Sequence, residues 1–237
     1  MDLESLFSRA GTIAMDQLLR RPTLFAFDFD GTIAPLADQP KDAVTLKVLR
    51  PPLRKLASQA RVAIVSGRGL KDVKSRLYFP CDFVVGNHGL EGLPKFRARG
   101  EKAKKICRKW MAQLSQRLAD LPPKSGIFVE DKCHSLTLHY RHAKNPSQAV
   151  RWLESEFDNL WPLPRVVGGK DVFNLLPKGS PHKGTALKAL MKHFACPHAV
   201  FVGDDLTDED AFGEKGKILS VRVGRLKDSL AKFFIRD

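Results

Sequence analysis

Cysteine is scarce in this chain: four among 237 residues, at positions 81, 107, 133 and 196. They lie far apart and form no CxxC pair, so neither a zinc site nor a disulfide framework is indicated and reduced thiols are the simplest reading. Long apolar runs are missing as well. No stretch approaches the roughly 20 residues of a membrane span. The opening "MDLESLFSRAG" carries early acids and lacks the apolar core of a secretory leader. The expectation is a soluble, cytoplasmic protein that does not enter a membrane. Acidic side chains are outnumbered, 26 against 40 basic ones, and the resulting +14 favours anionic partners. Charge alone does not choose between a phosphorylated small molecule, nucleic acid and a membrane surface. The basic residues are spread widely, and no helix-turn-helix, RRM or zinc signature accompanies them, so nucleic acid is not expected. Neither internal repeats nor low-complexity segments occur.

What is present is a series of apolar runs that end in small or acidic residues. "TLFAFDF" (23–29), "RVAIVSG" (61–67), "DFVVGN" (82–87) and "HAVFVGDD" (198–205) read as buried parallel strands. Segments with helical spacing lie between or after them: "DAVTLKVLR", "LKDVKSRL" and "HKGTALKALMKHF". Pro51 and Pro52 are expected to break the first into two short helices. Alternation of this kind predicts an α/β layered fold with a parallel sheet, whose ligand chemistry sits at the carboxyl ends of the strands.

The middle of the chain differs. A basic helical stretch at 100–121 leads through Pro122 and Pro123 into a strand pair around "GIFVEDKCHSLTLHYRH". A second helix, "PSQAVRWLESEFDNL", and a hairpin, "RVVGGKDVFNLLP", follow. Two β-rich pieces, each preceded by a helix, predict an inserted α+β domain over 93–178. Residues 1–92 and 179–237 then form the core domain.

Chemistry gathers at the predicted strand ends and helix starts: Asp28 and Asp30, Ser66 in "VSGR", Lys183 in "PHKGTAL", and "GDDLTDED" at 203–210. Bare carboxylates at the tip of a buried strand are costly. A divalent cation removes that cost, and the hard oxygens of Asp28, Asp204 and their neighbours suit Mg²⁺. An EF-hand is excluded, because the loop starting at Asp28 has Gly31 fourth and Gln39 twelfth where a calcium loop needs glycine sixth and glutamate twelfth. "GSPHKGT" lacks the GxxxxGK[ST] spacing of a phosphate loop. Taken singly, Ser66 reads as a turn residue and Lys183 as a lysine in a first helical turn.

Their order changes that reading. DxDGT, a serine in an apolar-SG turn, a lysine opening a helix and GDDxTD, in this succession, resemble the four motifs of the haloacid dehalogenase superfamily of phosphotransferases. "SGR" (66–68), "GNHGLEG" (86–92), "VEDK" (129–132), "LHYR" (138–141) and "GDDLTDED" resemble more narrowly the trehalose-6-phosphate phosphatase family. The resemblance runs from about residue 23 to the end, by position of the motifs. It implies a dehalogenase-like Rossmannoid core with a C2-type cap that closes over a small-molecule sugar phosphate; a monomer is expected rather than an oligomer.

By resemblance, Asp28 is the nucleophile that forms an aspartyl-phosphate, and Asp30 is the acid and then the base. Ser66 and Lys183 hold the phosphoryl oxygens. Mg²⁺ is held by the Asp28 side chain, the Asp30 carbonyl and Asp204, with Asp205 and Asp208 in support. Glu130 and Lys132 are expected on the glucose hydroxyls, with Gly67, Arg68, His88 and Arg141 as further contacts, while His139 and His142 read as plain strand-surface residues. One departure concerns substrate: where this family shows "GKxVxExRP", the chain reads "GKDVFNLLP", with Asn174 and Leu176. Asn174 can hydrogen-bond a hydroxyl but brings no charge. The expected reaction is hydrolysis of trehalose 6-phosphate. The same chemistry on sucrose phosphate or a glucosylglycerate phosphate is the alternative, and a non-catalytic binding protein is a third reading.

Overall fold

The apolar runs from the two ends of the chain become one parallel sheet. The structure is a computed structural model that describes residues 3–37, 42–122, 125–169 and 171–236; Pro123, expected to help end the basic helix, lies outside them. The chain divides into two compact units, Met1–Leu93 with Pro181–Asp237, and Pro94–Ser180.

The first unit begins with β1 (Glu4–Ser5), α1 (Arg9–Leu19), β2 (Thr23–Phe27), α2 (Arg50–Gln59), β3 (Arg61–Val65), α3 (Leu70–Arg76) and β4 (Phe83–Val85). The second unit supplies α4 (Arg97–Ala119), β5 (Phe128–Asp131), β6 (Leu136–His139), α5 (Pro146–Phe157), β7 (Pro164–Gly169) and β8 (Val172–Pro177). The chain then returns to the first with α6 (Lys183–His193), β9 (His198–Gly203), α7 (Glu209–Phe212), β10 (Ile218–Val223) and β11 (Phe233–Ile235).

The strand order in the first unit is β1-β11-β10-β9-β2-β3-β4, and every pairing is parallel. Helices on both faces explain the unbroken apolar runs: Leu24, Ala26, Val62, Ala63, Ile64 and Val65 are all fully buried. Leu18 of α1 packs with Val200, Leu219 and Val221 on one face. Leu53 of α2 and Val73 of α3 pack with Val62 and Ile64 on the other. From β2 the chain proceeds outward through β3 and β4, and after α6 it proceeds the opposite way through β9 and β10. The crevice beyond the ends of β2 and β9 is therefore the switch point where open α/β sheets bind ligands.

The helical reading of "DAVTLKVLR" is corrected. Ala43–Leu46 has no regular structure, Lys47–Leu49 is one 3-10 turn, and α2 starts at Arg50. Pro51 and Pro52 open this helix instead of breaking it, because the first turn has no use for their missing N–H groups.

The second unit is an antiparallel sheet in the order β5-β6-β8-β7. One face carries Leu136, Leu138 and Leu175, which pack on Cys107, Trp110 and Leu114 of α4 and on Leu153 and Phe157 of α5. Strand alternation sends their neighbours to the other face. Among the described residues no helix is long and apolar enough to cross a membrane.

Candidate active site

Asp28 follows directly on β2, and its N–H donates to the Val202 carbonyl of β9 at 2.8 Å. The side chain is buried, 4% exposed, at the switch point. Lys183, the first residue of α6, is 2% exposed. Its Nζ lies 3.0 Å from Asp28 Oδ1 and 2.7 Å from Asp208 Oδ1. The other oxygen of the fully buried Asp208 accepts the N–H groups of Asp204 and Asp205, at 3.0 and 2.9 Å. Asp208 thereby fixes both the lysine and the turn that carries Asp204. Two glycines make room for this: a Cβ on Gly203 would sit 2.3 Å from the Asp208 carboxylate carbon, and one on Gly31 would sit 1.9 Å from Asp204 Oδ2. Gly31 also has φ +71°, a conformation glycine adopts without strain.

Carboxylate oxygens of Asp28, Asp204 and Asp208 lie within 4.8 Å of one another. Burial pushes the Asp28 carboxyl well above its usual range; Lys183 opposes this, and Asp208, Asp204 and Asp30 add to it. Burial, with Asp208 next, pushes Asp204 up to about 7, against the pull of Lys183. Lys183 is pulled down by burial, but Asp208 and Asp28 together lift it above the ordinary lysine value, so it stays charged. One lysine does not neutralise this many buried carboxylates. Asp208 is committed to Lys183 and two amides, which leaves Asp28 and Asp204 as hard oxygen donors, the set that a Mg²⁺ ion fits.

Ser66 closes β3 and is fully buried. Its Oγ accepts the Arg68 N–H at 3.1 Å, which leaves its own hydroxyl proton to donate. Gly67 is bare for a reason: a Cβ there would fall 2.6 Å from the ring of the buried His88, whose N–H donates to the Ser66 carbonyl. Arg68 grips Asp30 through two bonds of 2.7 Å and reaches Asp72 with its remaining nitrogen at 2.9 Å. This arginine, expected on the sugar, is thus tied to the carboxylate of Asp30.

Three partners escaped the sequence reading. Thr32 donates to Asp204 Oδ1 at 3.3 Å. Asp72 anchors both Arg68 and Arg76. Arg222 of β10, 8% exposed, donates to the Asp204 carbonyl and pairs with Glu209 at 2.9 Å. A single arginine inside the apolar run "ILSVRV" was the available signal.

The remaining candidates belong to the second unit. Register places Glu130 of β5 opposite Thr137 of β6, and Thr137 opposite Asn174 of β8, on the sheet face away from α4 and α5. The Thr137 hydroxyl donates to Asn174 Oδ1 at 2.8 Å. Glu130 Oε2 lies 2.9 Å from His139 Nε2 and 3.8 Å from Lys132 Nζ. His139, read as a plain surface residue, therefore orients Glu130 while stacking on Phe128 at 4.3 Å. Arg141 lies 3.5 Å from Asp171.

A family model described as trehalose-phosphatase matches residues 26–231. A trehalose-phosphate phosphatase of Mycobacterium marinum is 32% identical over 93% of this chain. The chain spans 63% of that relative's length. Among solved structures, the C-terminal domain of a C. albicans trehalose-6-phosphate phosphatase aligns with a TM-score of 0.74 at 21% identity, covering 99% of this chain and 93% of that one. A trehalose-6-phosphate phosphatase related protein aligns with a TM-score of 0.71 at 22% identity, covering 90% and 91%. At such identities these structures bear on the fold, which they share.

Proposed function

The chain belongs to the trehalose-phosphatase family, and we propose that it is a Mg²⁺-dependent phosphatase that hydrolyses trehalose 6-phosphate to trehalose and phosphate. The observation that carries this reading is the buried Asp28–Lys183–Asp208 chain with Asp204 beside it.

Asp28 attacks phosphorus: an oxygen–phosphorus bond forms to its carboxylate as the bond to the sugar oxygen breaks. Asp30 gives the departing oxygen its proton. Water then attacks the aspartyl-phosphate, Asp30 takes the proton, and phosphate leaves with Asp28 regenerated. Lys183, fixed by Asp208, and the hydroxyl of Ser66 bind the phosphoryl oxygens as charge shifts onto them. Asp28, Asp204 and the Asp30 carbonyl would hold Mg²⁺, with Asp205 in support. When bound, the ion neutralises the crowded carboxylates and the phosphoryl oxygens. Arg68 pairs with Asp30 in the free enzyme, and substrate entry moves Asp30 from Arg68 to the sugar oxygen.

Glu130 and Lys132 read the glucose hydroxyls, and His139 supports Glu130. Gly67, Arg68, His88, Arg141 and Asn174 complete the sugar-binding set. We place the enzyme in the cytoplasm as a monomer. Phosphate release from trehalose 6-phosphate, sucrose 6-phosphate and glucose 6-phosphate, with Mg²⁺ and with EDTA, tests the reading. Metal-dependent release with preference for trehalose 6-phosphate is expected. Preference for another sugar would move the substrate, and no release from any would overturn the catalytic reading.

A further inference from the structure

Basic residues are spread along the chain, but its net charge is not. Between Pro94 and Ser180 there are seventeen basic and eight acidic side chains, so this unit carries +9 of the chain's +14. The helix α4 alone holds eight basic residues and one acid, Glu101, which is paired with Lys104 at 2.9 Å. Lys102, Lys105 and Lys109 are exposed and spaced three and four apart, so they form one row along α4. The row continues to Gln113, about 16 Å from Lys102 along the axis.

At Gln113 the row meets an apolar tip. The Gln113 amide clamps Trp161 on both sides, donating to its carbonyl and accepting from its N–H, each at 2.9 Å. The Trp110 indole, buried in the core beneath, donates to the Pro162 carbonyl at 2.6 Å. The loop is thereby pinned to α4 while its side chains stand outward: Trp161 is 74% exposed and Leu163 is 42% exposed. No charged residue occurs from Leu160 to Pro164. Nearby acids are few: Glu156 pairs with Arg117, and Asp158 ends α5.

A solvated lysine row alone is ordinary. An exposed tryptophan and leucine on a backbone bonded to its end are not, since a soluble surface gains nothing by presenting an indole to water. We propose that this face docks on an anionic phospholipid surface, with Trp161 and Leu163 entering the interfacial region and Lys102, Lys105 and Lys109 facing the lipid phosphates. Tryptophan prefers that depth, and lysines beside it add electrostatic attraction. The row lies on a convex helix, a shape that meets a plane, whereas single-stranded nucleic acid is bound in grooves lined by several aromatic rings. This reading modifies the expectation that the chain has no membrane partner: it adsorbs without spanning.

Co-sedimentation with phosphatidylserine-containing vesicles at low salt, against pure phosphatidylcholine vesicles, tests the proposal. Binding to the former only, weakened by added salt, is expected. Substituting Lys102, Lys105 and Lys109 together by Gln should lower affinity about a hundredfold, since each lysine contributes about fivefold near such a surface. On vesicles the tryptophan emission should shift to the blue. Trp161→Ala should abolish that shift, because Trp110 is already buried and Trp152 packs against the same core. Unchanged thermal melting of the variants would establish that they fold. Absence of vesicle binding would overturn the proposal. So would vesicle binding indifferent to both variants, a preference for single-stranded oligonucleotide, or a dimer that Trp161→Ala dissolves.

Discussion

Replacing Lys183 by methionine isolates the electrostatics of the buried chain. Methionine keeps much of the apolar stem, so the change removes chiefly the ammonium that lies 3.0 Å from Asp28 and 2.7 Å from Asp208. Both carboxylates are buried, Asp208 completely. Breaking a buried pair by removing one partner costs about 3–5 kcal/mol, because the other charge is left without compensation. For a unit of this size that corresponds to a fall in melting temperature of about 6–20 °C. Urea unfolding followed by circular dichroism in EDTA measures the loss. The control is Asp208→Asn in the Lys183→Met background. An asparagine there keeps an oxygen for the Asp204 and Asp205 N–H groups and removes the stranded charge. The double variant should therefore be more stable than the sum of the single losses by about 0.5–3 kcal/mol. A loss below about 1 kcal/mol for Lys183→Met, or strict additivity of the pair, would refute the assignment of Lys183 as the charge that Asp208 requires.

Three further outcomes follow from the same geometry. Gly31→Ala sets a Cβ 1.9 Å from Asp204 Oδ2 at φ +71°; it should cost at least about 1–2 kcal/mol and abolish stabilisation by Mg²⁺, and a wild-type Mg²⁺ response would refute the crowding argument. Arg222→Leu removes the support beneath Asp204 and the partner of Glu209; a loss of about 1.5–3 kcal/mol and weaker Mg²⁺ binding are expected, to be read by unfolding and metal titration. The carboxyl of Asp204, raised to about 7 by burial, gives a pH dependence. Between its unfolded value near 3.8 and 7, the folded metal-free protein keeps a proton that the unfolded chain has lost. Stability in EDTA therefore falls as pH rises through this window, and Asp28 acts in the same direction. The melting shift produced by Mg²⁺ should grow from pH 5.5 to pH 8, and an equal shift at both would contradict the reasoning.

The strand ends that carry Asp28 and Asp204 were legible because burial on both faces of a parallel strand leaves an unbroken apolar run, and these aspartates each interrupt one. Lys183 was legible through its helix start. Pro51 and Pro52 misled, since proline ends a helix from within but suits its first turn, and only the boundary distinguishes the two. Thr32, Asp72 and Arg222 were hidden for another reason: Thr32 meets Asp204 across 172 positions, and no local pattern encodes such a contact. The Asp30–Arg68 grip, 38 positions apart, is of the same kind. The hold of Gln113 on the Trp161 backbone, 48 positions apart, is again of this kind.

The most direct test of the central claim is to trap the phosphorylated residue. Enzyme mixed with labelled trehalose 6-phosphate and Mg²⁺, quenched within one turnover and reduced with borohydride, should carry the modification at Asp28 by mass spectrometry, and Asp28→Asn should carry none. Phosphate release without any modified carboxylate, or modification at a residue other than Asp28, would contradict the account.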